Sequence, residues 1–265
     1  MILPAAPYSF KLLTACFCGG ADNQTAPAEM RIPSIRGQVR AWHRELSGAE
    51  TVNRIWGSTV GESGASRVAL VWDASVPPRQ AHPKPLILPH KNQGARPALS
   101  AGQSFALTLQ RLVGCPTDDW AAAQDAIKLW LLIGCLGLRA NRAAGSVWPL
   151  DPNHEGRKWV PQTPEQLGKT LRSLGFRWPA QLVDTPAGTS AEQLRELASN
   201  TVKGHLDLFG EIKPHRIPSP TKFKVIELAG QPRLLVTAPP PVNLAAVRIA
   251  LSGPNKAGQF AWQPL

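Results

Sequence analysis

Residues 32–48 read IPSIRGQVRAWHRELSG, and the reading of this stretch decides the rest. Ile35, Val39, Trp42 and Leu46 recur at the spacing of one buried helix face, and Ser34 is the residue type that caps a helix N-terminus. Arg36, Arg40 and Arg44, with His43 alongside, form a second stripe next to the apolar one. A row of guanidinium groups on a helix edge suits a phosphodiester backbone, because each can fork onto phosphate oxygens. Gly37 would let a backbone approach closely, and the free N–H groups of the first turn around Ser34 would favour an anion. The competing reading of the same arginines is a solvated face paired with Glu45 and Glu50.

The whole chain agrees with a polyanionic partner. It carries 29 Lys and Arg against 18 Asp and Glu, a net charge of +11, which favours nucleic acid or an anionic surface. Its longest apolar run, residues 127–138, contains Lys128 and is too short for a membrane span, so no membrane partner is expected. The start, MILPAAPYSFK, lacks the charged opening and long apolar run of a secretory signal. Cys16, Cys18, Cys115 and Cys135 lack CxxC spacing, which points to free thiols in a reducing compartment. His82, His90, Cys16 and Cys18 have no ligand spacing, so neither a metal nor any other cofactor is expected.

Around the opening helix the pattern predicts a strand over 8–17, another over 66–72 and a third over 104–113. A helix over WAAAQDAIKLWLLIGCLG follows, capped by Asp118 or Asp119, with Trp120, Ala123, Ile127, Trp130 and Gly134 on one side. Residues 74–102 hold six prolines, four Lys or Arg and no acid, which excludes regular helix and suggests an extended loop or hairpin that projects. Residues 149–200 read as an elaboration with helix starts at Thr163-Pro164 and near Ser190. The tail reads as strands: TKFKVIEL, RLLVTA and VNLAAVRIALSG. The order strand, helix, strand, strand, helix, strand is that of a ferredoxin-like unit.

Three segments read together carry a resemblance: ACFCGGAD with IPSIRGQVRAWHREL, IWGS with SRVALVW, and GCLGLRANRAAGSV after the apolar helix. The pattern resembles the RAMP superfamily of CRISPR effector subunits, most closely the Cmr-type subunit at the head of type III-B complexes. Arg31, Pro33, Ser34, Ile35, Arg36, Gly37, Val39, Arg40, Trp42 and Arg44 match the motif, followed by Ile55 to Ser58, Ser66 to Val68 and the late RIPSPTKFKV. His43 departs from it by standing where a second tryptophan is usual, and Cys135, Ala143 and Ala144 depart in the glycine-bearing loop.

The resemblance implies an α+β fold of two ferredoxin-like (RRM-like) units with antiparallel sheets, plus a projecting loop and a helical insertion. The division expected is 1–115, with the loop 74–102, and 116–265, with the insertion 149–210. It implies a non-catalytic RNA-binding subunit of a cytoplasmic type III ribonucleoprotein, whose partners are CRISPR guide RNA, target RNA and other effector subunits. The RNA-binding candidates are Ser34, Arg36, Gly37, Arg40 and Arg44 on the helix, Gly137, Arg139, Asn141 and Arg142 in the glycine-bearing loop, and Lys91 in the proline-rich loop. The loop's glycines would turn amides toward phosphates. Arg79, Lys84, Lys91 and Arg96 would act as the thumb of backbone subunits does. Two alternatives remain: a guide-processing endoribonuclease using His43 as acid or base, and a scaffold whose basic surface serves docking alone.

Overall fold

The computed structural model describes residues 3–19, 26–59, 64–73, 84–150, 159–202, 204–210 and 217–265. The expected loop positions Arg79 and His82, the tip of the loop after Cys18, the insertion residues 151–158 and Arg216 lie outside the described residues. The elements run β1 (Ala5–Leu12), α1 (Ile32–Trp56), β2 (Val68–Trp72), β3 (Leu86–Leu88), β4 (Gln93–Ala95), β5 (Ser104–Arg111), α2 (Thr117–Ile133) and β6 (Val147–Leu150). They continue with α3 (Pro164–Ser173), β7 (Ala180–Asp184), α4 (Ala191–Ser199), α5 (Leu206–Phe209), β8 (Lys222–Leu228), β9 (Gln231–Thr237), α6 (Leu244–Ala250) and β10 (Ala261–Pro264).

Two four-stranded antiparallel sheets result, ordered β2-β5-β1-β6 and β10-β7-β9-β8. Each is a βαββαβ unit with its first strand in the middle and its last at one edge, the order of a ferredoxin-like fold. The first unit takes β1, α1, β2, β5, α2 and β6; the second takes β7, α4, β8, β9, α6 and β10. The expected break at 115 therefore falls inside the first unit, because β6 pairs with β1 and α2 leads into it. Likewise β7 and α4 are framework rather than insertion: Leu182 and Val183 are buried where β7 pairs with both β9 and β10.

The alternation along β1 buries Tyr8, Phe10 and Leu12 on the face toward α1 and α2, where Phe10 stacks on Phe105 and meets Trp130 edge-on. In α2, Ala123, Ile127 and Trp130 are fully buried, as their spacing predicts. Its cap is not an aspartate: Pro116 occupies that position, and Asp119 turns inward. Arg54 and Arg67 each donate to the Asp119 carboxylate, at 2.9 and 2.6 Å, tying α1 and the start of β2 to α2. Burial opposes the Asp119 charge, yet the bonds from the two guanidiniums outweigh it and hold the carboxyl below its usual pKa.

Two further expectations change, and the helix starts hold. The tail segment VNLAAVRIALSG forms the helix α6, because Asn243 accepts from the Ala245 amide and caps an alanine-rich turn. Thr163 and Ser190 do cap their helices, the latter in a reciprocal capping box with Gln193. The described part of the proline-rich loop is a hairpin, β3-β4, but it does not project. Ile87 packs against Ala15, Phe17, Ala98 and Ala144, Arg195 donates to the Leu86 carbonyl, and His90 bonds Ser199 on α4.

Candidate nucleic-acid interface

Helix α1 is two limbs. Gly48, at φ 77° and ψ 171°, breaks the helix, and Pro33 sits in its first turn. The limbs lie against each other, so that Arg36 donates to the Trp56 carbonyl and Arg40 reaches the Asn53 amide oxygen at 3.4 Å. Ile35, Val39 and Trp42 are buried and Leu46 is half-buried, as the spacing requires. The N-cap is Arg31 rather than Ser34, whose amide already bonds the Arg31 carbonyl at 3.0 Å. Gly37 is exposed, with open space where a side chain would stand.

The arginine stripe stands beside this buried face. Arg36 and Arg40 are half-buried and Arg44 is exposed. Among the described residues none of the three forms an ion pair; their bonds go to a carbonyl and an amide. Burial, then repulsion from Arg36 and Arg44, lowers the pKa of Arg40. The pairing with Glu45 or Glu50 that the competing reading requires is absent among the described residues.

His43 is fully buried. Its Nδ1 accepts from the Trp56 indole N–H at 2.8 Å, its Nε2 has no partner among the described residues, and burial lowers its pKa to about 4. A neutral ring sealed in the core is not placed to exchange protons with a strand outside, which counts against His43 as an acid or base. The signal was available: His43 lies four residues after Val39, on the apolar face.

The glycine-bearing loop, residues 134–146, also departs from expectation. The amides at its two ends are bonded inside the protein. Leu136 donates to Gly145, Leu138 to Phe17, Ala143 to Phe223 and Gly145 to Ala15, while the Ser146 amide donates to the Thr14 hydroxyl. These ends of the loop stitch the segment after β1 to β8, so their amides are not open to phosphate. Gly145, at φ 63°, is required because a Cβ would lie 1.9 Å from the Leu136 oxygen.

Arg142 is buried with the loop. It donates to the Phe209 and Thr221 carbonyls and the Ser219 hydroxyl, and its guanidinium lies over the Phe209 and Phe223 rings. Burial brings its pKa down to about 10. Arg142 is an internal clamp, which removes it as an RNA contact. Arg139 and Asn141 are half-buried and Gly137 is exposed. Burial, then repulsion from the exposed Lys91 and from Arg139, lowers the pKa of His90, so loop and hairpin tip share one neighbourhood. Lys84 is exposed as well, and Arg96 is half-buried.

Between α1, the loop and β8 lies a cleft of about 160 Å³, lined by Gln38, Trp42, Glu45, Asn141, Trp178 and Lys222 among others. Lys222 donates to the Asn141 side-chain oxygen at 3.2 Å and sits over the Trp42 ring; burial lowers its pKa. Trp148, near loops in the sequence, is buried, with the ammonium of Lys224 over its ring. Lys224 is fully enclosed and bonds the Leu131 carbonyl at the end of α2, with its pKa lowered to about 7 by burial. Neither lysine was distinguishable in sequence from ordinary strand positions. All four cysteines are free and buried, and no cluster of three or more His, Cys, Asp or Glu able to hold a metal occurs among the described residues. No described helix is long and apolar enough to cross a membrane.

The profile of the RAMP superfamily matches residues 9–148, more than half of the chain. The protein belongs to the RAMP superfamily. Solved structures share the fold: Cmr1 from Pyrococcus furiosus in its apo form is 18% identical, with a TM-score of 0.59, covering 89% of this chain and 88% of its own. A chain of the type III-B Cmr-beta complex bound to cognate target RNA is 10% identical, with a TM-score of 0.58, covering 95% and 98%. A chain of the same complex with target RNA and AMPPnP, in the presence of ssDNA, gives 11% and 0.54, covering 90% and 94%. No curated protein matches this RAMP chain in sequence.

Proposed function

We propose that this RAMP protein is a non-catalytic RNA-binding subunit of a cytoplasmic type III CRISPR ribonucleoprotein, holding guide RNA or capturing target RNA beside other effector subunits. The observation that carries the reading is the ridge of Arg36, Arg40 and Arg44. Three guanidiniums are gathered on a rigid helix with no carboxylate among the described residues to neutralise them, and their mutual repulsion is relieved by a polyanion. Lys91 and Arg139 supply a second basic neighbourhood. The likeness in fold to a chain of a complex bound to target RNA supports the same partner. The burial of His43 supports a binding rather than a cleaving role.

The test is RNA binding by the purified full chain across a salt series. Engagement of several phosphates gives a linear fall of log affinity with log salt, at a slope of roughly 0.7 per phosphate on a single strand. Replacing Arg36, Arg40 and Arg44 together by alanine flattens that slope and weakens binding. Unchanged binding by the folded triple variant at physiological salt overturns the reading.

A further inference from the structure

We propose that the cleft between α1, the glycine-bearing loop and β8 takes one unpaired base of the bound RNA and selects guanine. This rests on the RNA-binding reading above and adds a base-reading site to it.

The shape comes from aromatic packing. Trp178 is half-exposed at the cleft, held by Trp42 with ring centroids 5.4 Å apart and by Phe176 at 5.8 Å. A tryptophan fixed by two other rings is a ready shelf for a base, since every base offers a π-face and unpaired RNA bases stack on aromatic side chains. The neighbouring groups are also fixed. Lys222 is anchored to Asn141, and Asn141 in turn donates to the Ser219 carbonyl at 3.4 Å. Its ammonium is thus a positioned donor in the cleft lining.

The chemistry comes from α1. Gln38, Trp42 and Glu45 stand at i, i+4 and i+7, which puts all three on the side that lines the cleft. Neither the Gln38 amide nor the Glu45 carboxylate forms a hydrogen bond or ion pair among the described residues. A carboxylate here repels phosphate, so the backbone stays on the arginine ridge and the cleft is left to a neutral group. What a carboxylate accepts is N–H.

Guanine is the one common base with two adjacent donors on its pairing edge, N1–H and N2–H, which a carboxylate oxygen pair can accept together. Its O6 and N7 acceptors then suit the Lys222 ammonium and the Gln38 amide. Adenine and cytosine would each set a ring-nitrogen lone pair against Glu45, and uracil would flank its single N–H with two carbonyls.

The experiment compares a short fluorescent oligouridylate with the same strand carrying one central guanosine, adenosine or cytidine, by anisotropy on the full chain at one salt concentration. The guanosine strand is expected to bind about tenfold tighter than the other three. In the exposed-site variant Glu45→Gln its affinity falls to within about twofold of the uridine strand, as loss of a carboxylate acceptor requires. Equal affinities of all four strands for the native chain, or a guanosine preference that survives Glu45→Gln, overturn the proposal while leaving RNA binding in place. Failure of every strand to bind overturns both readings.

Discussion

The indole N–H of Trp56 donates to Nδ1 of His43 at 2.8 Å, inside the core formed where the two limbs of α1 meet α2. The bond fixes the neutral tautomer with its proton on Nε2, and burial holds the pKa near 4, below the ordinary 6.5. The unfolded chain takes up a proton below about pH 6.5 and the folded one only near 4. Stability from this residue is therefore complete above about 6.5 and is lost as pH falls toward 4. The difference is on the order of 3 kcal/mol. His43→Phe should flatten the thermal stability profile over that window, and a profile as steep as the native one would contradict the burial.

Arg142 separates a structural from a ligand-binding account of the glycine-bearing loop. Arg142→Ala strands the Phe209 and Thr221 carbonyls and the Ser219 hydroxyl. A loss of roughly 3 kcal/mol or more is expected in a denaturant titration. An RNA-contacting arginine would leave the midpoint in place and change only affinity.

The arginines of the ridge should divide in the opposite sense. Arg44 is exposed and bonds nothing among the described residues, so Arg44→Ala is expected to weaken RNA binding with no shift in melting temperature. Arg36→Ala also frees the Trp56 carbonyl and should lower the melting temperature as well. Parallel melting curves and binding isotherms read both effects.

Asp119→Ala removes the shared partner of Arg54 and Arg67. The expected cost is about 2–3 kcal/mol, since both guanidiniums are partly exposed and can be rehydrated. A double change with Arg67→Ala should cost less than the sum of the two single ones, because the pair shares a bond.

Gly145→Ala tests the backbone demand directly. A methyl group would overlap the Leu136 carbonyl, and φ is already in the left-handed region. The variant should fail to fold or melt far below the native chain, whereas Gly37→Ala, facing open space, should not.

Local periodicity made α1, α2, β1 and β5 legible, because each carries enough apolar residues at one spacing to mark a face. The caps Thr163 and Ser190 were legible for the same local reason. β7 was not: AQLVD buries only Leu182 and Val183, and its strand character comes from pairing with β9 and β10, far along the chain. The ridge could be read from α1 alone, but the fate of Arg142 depended on Phe209, Ser219 and Thr221, more than sixty residues away. A glycine-flanked arginine looks the same in sequence whether it meets phosphate or carbonyls. The cleft, assembled from α1, Asn141, Trp178 and Lys222, exists only after both units have docked.

The break at Gly48 has an electrostatic result of its own. By turning the second limb back, it sets the partly negative carbonyl end of α1 beside Arg36, while Arg44, eight residues further along the first limb, is exposed and bonds nothing among the described residues. The three like charges are thereby made unequal, muted at one end and bare at the other. A strand of phosphates lying along them meets a slope of potential rather than a level rail, and a slope has a direction.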